Sequence, residues 1–188
     1  MIETQTSRVL LDLARQVIQH AVLRTPPETA TTEASEVLSR MEHAGIFVTI
    51  TVRGELRGCV GDLDAGHSVR EALVRAAQGA ATSDRRFHAL TERELGDMAL
   101  DVTVLEPMQR IRGIEEVQIG VHGLFIEFEG QRGILLPQVA RDRKWTAERF
   151  LKAVCEKAGL PADAWKWPEA DLRRFEASIH STHTAVPH

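Results

Sequence analysis

The chain has 188 residues, enough to bury roughly two-thirds of the surface it exposes when unfolded, so it needs neither disulfides nor a structural metal to fold. Its composition, 43% hydrophobic and 27% charged, is that of an ordinary globular protein, organised as one large domain or as two small lobes. A net charge of −4 with neutral histidines and the lack of a basic stripe speak against nucleic-acid binding, and no apolar run has the length needed to cross a bilayer.

Residues 2–5 lack the basic start and apolar segment of a signal peptide. Cys59 and Cys155 lie far apart and are read as free thiols in a reducing compartment, so the expected location is the cytoplasm. Aromatics are few, six Phe and three Trp with no Tyr, which leaves the core to Val, Leu, Ile and Ala.

Leu10, Leu13, Ala14, Val17, Ile18 and Ala21 recur at helical spacing and predict a helix over 7–23, stopped by Pro26 and Pro27. A short helix is expected over 33–41. Ile46, Val48, Ile50 and Val52 alternate with Phe47, Thr49 and Thr51; both faces are apolar enough for a central strand. Arg53-Gly54-Glu55 turns the chain into a hairpin partner over 56–60.

Ser68 and Glu71 form a capping box that opens a helix to about Thr82. Thr91 and Glu94 form a second one, opening a single short turn. Residues 100–106 alternate again and predict a strand ended by Pro107. Glycines then become dense, and 123–129 with 132–136 predict a hairpin around Gly130-Gln131. A helix is expected over 146–158, with Cys155 on its inward face and Gly159 and Pro161 as terminators. A last strand is expected over 172–178. Thr29-Ala30-Thr31-Thr32 and the His-containing tail from His180 are of low complexity, and the tail beyond Ser181 shows no pattern. Short connections and hairpins favour α+β over a doubly wound parallel sheet.

Three segments are candidates for chemistry. In Leu56-Arg57-Gly58-Cys59-Val60-Gly61, glycines flank a cysteine at a strand end. Glycines let backbone N–H groups approach a ligand, and Arg57 nearby favours a thiolate. The competing reading makes Cys59 a small buried hydrophobe and the glycines sites of close packing. In Ser83-Asp84-Arg85-Arg86-Phe87, Arg86 suits a bidentate anion, or Asp84 and an arginine pin a loop as a structural pair. Gln138, just after Pro137, either points into a cleft or marks an ordinary strand exit. His67 and His88 lie near the first two segments, so a Cys-His arrangement is conceivable. Metal-ligand spacing is absent, and no cofactor is implied.

The Leu56 to Gly61 segment resembles the signature of the AMMECR family. Gly45-Ile46-Phe47-Val48-Thr49, Asp84-Arg85-Arg86-Phe87, Gly130-Gln131-Arg132-Gly133 with Leu136-Pro137-Gln138-Val139, and Cys155-Glu156-Lys157-Ala158-Gly159-Leu160 follow in the family's order, over about residues 7–179. The sequence departs from the pattern at Asp62, where a small hydroxyl residue is commoner, at Arg85 in place of proline, and at Ala140 in place of an aromatic. The resemblance implies a two-lobed α+β fold. Its larger lobe, about 7–106 and 141–179, would hold a mainly antiparallel sheet and helices from both chain ends. A smaller β-rich lobe, about 107–140, would be inserted, and 180–188 would be a flexible tail. It also implies partners: a Memo-like protein of non-haem-iron type and a radical S-adenosylmethionine enzyme.

The resulting expectation is an accessory enzyme or substrate-handling component whose small anionic metabolite lies in an inter-lobe cleft. Cys59 would supply a thiol, with Arg57, Gly58, Gly61, Asp84, Arg86 and Gln138 as ligand contacts. The alternative is a non-catalytic scaffold module with Cys59 structural.

Overall fold

The computed structural model describes residues 2–26, 32–43, 45–64 and 66–182; Pro27, Thr29 to Thr31 and the tail beyond Thr182 lie outside the described residues. The chain is α+β with two four-stranded antiparallel sheets. It divides into two compact units, Met1–Val104 with Ser178–His188, and Leu105–Ala177.

The first unit contains helices α1 (Ile2–Leu23), α2 (Thr32–Ser39) and α3 (Val69–Thr82), and strands β1 (Gly45–Val52), β2 (Glu55–Asp62), β3 (Met98–Leu105) and β8 (Ala177–Ser181). The sheet order is β2-β1-β3-β8, so β1 is internal and β2 is an edge. The alternation in β1 sorts as expected: Ile46, Val48 and Ile50 are fully buried, while Phe47 and Thr49 are half-buried. The helical stripe of α1 buries Leu10, Ala14 and Ile18 completely.

The inner face of α3 is almost all alanine: Ala72, Ala76, Ala77 and Ala80 beside Leu73. Small side chains bring the helix close to the sheet. A Cβ at Gly58 would collide with the Ala80 carbonyl oxygen, and one at Gly79 would meet Val60. Both residues of the β1–β2 turn, Arg53 and Gly54, have positive φ of 53° and 83°, the type I′ geometry that matches strand twist. Arg53 carries the cost of a left-handed side-chain residue.

The second unit contains β4 (Gln109–Arg110), β5 (Gly123–Phe128), β6 (Gln131–Leu135), α4 (Pro137–Asp142), α5 (Ala147–Ala158) and β7 (Asp171–Phe175). Its sheet runs β4-β7-β5-β6. The β5–β6 hairpin turns at Glu129 and Gly130, again with both φ positive, one residue earlier than the sequence suggests. Helix α5 buries Phe150, Leu151, Val154 and Cys155. Gly133 lets β6 approach it, because a Cβ there would meet the Val154 carbonyl and Ala158. Phe128 and Trp167 add an edge-on ring contact at 5.1 Å.

Helix α5 and strand β7 share the core of this unit. Pro137 does not simply end a strand; it is the first residue of α4, where its missing N–H costs nothing. The single last strand expected over 172–178 is two strands, β7 in one sheet and β8 in the other, with Glu176 between them. His180 and Ser181 belong to β8. His180 is 8% exposed, its Nδ1 lies 2.6 Å from Ser7 Oγ, and the Thr182 N–H donates to the Leu100 carbonyl. A five-residue strand that buries only His180 and exposes Ser178, Ile179 and Ser181 leaves no periodic apolar signal.

Candidate functional site

Cys59 sits on β2 opposite Thr49 of β1. The residue is half-buried, and its sulfur accepts the Thr49 hydroxyl at 3.3 Å. As β2 is an edge, its outward backbone groups at Cys59 need partners from elsewhere. The loop after α3 supplies them: the Cys59 N–H donates to Asp84 Oδ2 at 2.9 Å, and the Cys59 carbonyl accepts from Arg86 Nη2 at 3.3 Å. Asp84 and Arg86 thus stand in for a neighbouring strand.

The two residues are locked to each other. Asp84 Oδ1 accepts the backbone N–H of Arg86 at 3.1 Å and its Nε at 3.0 Å, while Oδ2 accepts Nη2 at 2.7 Å. Asp84 is nearly buried, with its side chain 7% exposed, whereas that of Arg86 is 57% exposed. The arginine's hydrogen bonds hold the Asp84 carboxyl well below the usual carboxylate range, although burial works against this. In return Asp84 fixes the charge on Arg86, and the neighbouring Cys59 sulfur adds to that effect. Nε and Nη2 of Arg86 are thus committed to Asp84 and the Cys59 carbonyl.

Arg57 is tied more tightly. Its Nε donates to Glu94 Oε1 at 2.6 Å and its Nη2 to Oε2 at 3.3 Å, and both Nη groups reach the His88 carbonyl at 3.4 Å. Glu94 Oε2 also accepts the N–H and hydroxyl of Thr91. These contacts, Arg57 first, push the Glu94 carboxyl down to about 2. The centroid of the Phe87 ring lies 5.9 Å from the Arg57 guanidinium and 5.3 Å from that of Arg86.

Of the sequence candidates, Arg57, Cys59, Asp84 and Arg86 come together in the first unit. Gly58 and Gly61 lie on the same strand, with their side-chain directions blocked by Ala80 and by the Phe47 ring. Gln138 belongs to the second unit, in the first turn of α4. Among the described residues neither His67 nor His88 pairs with a cysteine. His67 Nδ1 faces Asp62 Oδ2 at 3.0 Å, which also turns Asp62 to a partner other than Cys59, and His88 contributes only its carbonyl. Cys155 is fully buried, and burial raises its thiol pKa. No group of three or more potential metal ligands occurs among the described residues, and no described helix is long and apolar enough to cross a membrane. Sequence reasoning missed Glu94 and Thr49. Glu94 was legible as a capping-box acid, but nothing local says that the same carboxylate receives Arg57 from 37 residues away.

The sequence pattern of the AMMECR1 family matches residues 11–180. The chain is 36% identical over 179 residues to a protein of Methanothermobacter thermautotrophicus, covering 92% of each. It is 34% identical over 192 residues to Protein TK0174 of Thermococcus kodakarensis, covering 95% of this chain and 91% of that one. The crystal structure of the uncharacterized protein PH0010 from Pyrococcus horikoshii superposes with a TM-score of 0.79 at 31% identity, covering 90% of this chain and 88% of the other. Pattern, sequence and fold agree over nearly the same residues, and the chain belongs to the AMMECR1 family.

Proposed function

We propose that the chain is a substrate-handling component that holds a small anionic metabolite at Arg86, beside the Cys59 thiol. One observation carries this reading: a half-buried cysteine and a half-exposed guanidinium are held next to each other by Asp84. A pre-oriented, half-exposed arginine binds a carboxylate or phosphate at small entropic cost. Arg57 plays a different part in this reading, since Glu94 and the His88 carbonyl occupy its fork; it braces the strand rather than meeting the ligand. The partners of this reading, a Memo-like protein and a radical S-adenosylmethionine enzyme, rest on the family resemblance.

The test is selective alkylation of the native protein with iodoacetamide, located by peptide mass spectrometry. Cys59 is expected to react and Cys155 to stay unmodified until the protein unfolds. A survey of organic acids by ligand-observed NMR should then find binders that protect Cys59 and are lost in Arg86→Ala. Labelling of Cys59 only after denaturation sinks the proposal.

The closure of the β2 edge by Asp84 and Arg86 favours a second reading, in which the chain is a scaffold and the pair only a brace. In that case Arg86→Ala lowers stability and no acid protects Cys59.

A further inference from the structure

On the outer side of α3, where α1 packs along it, lies a groove of about 880 Å³, within the size range of small-molecule sites. Its apolar floor is Leu13, Val17 and Ala21 of α1 with Val74 of α3, and three arginines, Arg24, Arg70 and Arg75, line it as well. None of the three forms a close ion pair with a described residue, whereas Arg57, Arg86 and Arg173 each do. Nη1 of the half-buried Arg70 is shut off from solvent and has no acceptor, a desolvation cost without compensation in a native structure. The one carboxylate of the groove wall, Glu71, feels Arg75, but its Oε2 is already taken by the N–H and hydroxyl of Ser68. Arg24 ends α1 with a left-handed φ of 55°, where glycine is the unstrained choice.

Glu71 is the one carboxylate among three arginines, and beside the apolar floor a buried N–H of Arg70 is left unsatisfied. An anion with an apolar body would balance the excess positive charge and offer Arg70 Nη1 an acceptor. We infer that this groove is a second ligand site, for an organic acid of medium size whose carboxylate or phosphate meets Arg70 and Arg75 and whose hydrocarbon part lies on Leu13, Val17 and Val74. It shares no residue with the Cys59 cluster and stands whether or not the reading of that cluster does.

The experiment is a fluorescence titration of the full chain with anilinonaphthalene sulfonate, displaced by decanoate, decanol or inorganic phosphate. Decanoate is expected to displace the dye at least about tenfold more effectively than either control, because each control lacks one half of the recognised chemistry. Arg70→Gln and Arg75→Gln should each weaken decanoate by about tenfold without lowering the melting temperature, and Arg132→Gln, in the second unit, should change nothing. Arg75 is exposed, so its variant decides the matter if Arg70→Gln fails to fold. Equal displacement by decanol means a merely apolar patch, and equal displacement by phosphate a merely cationic one; either result, or wild-type affinity in the Arg75 variant, overturns the inference.

Discussion

Replacing Asp84 by asparagine keeps the side-chain shape and removes the charge, which isolates what the carboxylate does for the edge of β2. Asp84 accepts four N–H groups: those of the Cys59 and Arg86 backbones and two from the Arg86 guanidinium. An asparagine has one acceptor oxygen, so in either orientation two of the four donors face an NH2 group. The Arg86 side chain is 57% exposed, so its part of the loss counts at surface scale, at most about 1 kcal/mol. The contact with the Cys59 N–H is desolvated and charge-assisted, at about 1.5–3 kcal/mol. A total near ~3 kcal/mol lowers the melting temperature of a chain this size by roughly 6–12 °C.

The carboxyl is depressed in the folded state, chiefly by Arg86. The stability it contributes is complete above the unfolded-state pKa of about 3.9 and is lost as pH falls toward the lower folded-state value. Urea unfolding should therefore show a constant gap between wild type and Asp84→Asn from pH 8 to about pH 5, narrowing below about pH 4. Hydrogen exchange of the Cys59 amide should accelerate in the variant at neutral pH. A gap of the same size at pH 7 and well below pH 3, or one smaller than about 0.5 kcal/mol at pH 7, would refute the reasoning.

Gly58→Ala drives a methyl group into the Ala80 carbonyl, so α3 must retreat; a loss of about 1–3 kcal/mol is expected in urea unfolding, and an unchanged midpoint would contradict the close packing. Glu94→Gln removes the partner of a mostly buried Arg57. With the Glu94 carboxyl at about 2 in the folded protein, its contribution is present above about pH 4.3 and fades as pH drops toward 2, so the variant should melt lower at pH 7 and approach wild type in acid. Thr146→Ala deletes the oxygen that accepts the Arg149 N–H at the start of α5 and should cost about 1 kcal/mol; a neutral result would mean water replaces the cap without loss.

Local order was largely legible from the residues alone. The Ser68 and Glu71 capping box, the alternation of β1 and the glycine that ends α5 act over a few residues, so sequence spacing reports them directly. Even the candidate cluster was found, because arginine, cysteine and aspartate stood out near glycines. Their roles were not legible. Whether Arg57 and Arg86 meet a ligand or a carboxylate depends on Glu94 and Asp84, which lie 37 and two residues away and arrive by different routes. Gly58 and Gly61 read equally well as ligand-approach or packing glycines until Ala80 and Phe47 occupied their open sides.

The residue pattern by itself determined the kinds of elements, their approximate limits and the segment in which to look. Only the tertiary structure decided that β2 is an edge strand closed by a loop from beyond α3, that His180 belongs to a strand, and that three arginines line one groove with a single carboxylate, Glu71. The physical reason is range. Helix stripes, caps and tight turns are set by interactions between neighbours in the chain, whereas the partner of a charge or of a free strand edge is chosen by which distant segments the packed core brings within hydrogen-bond distance.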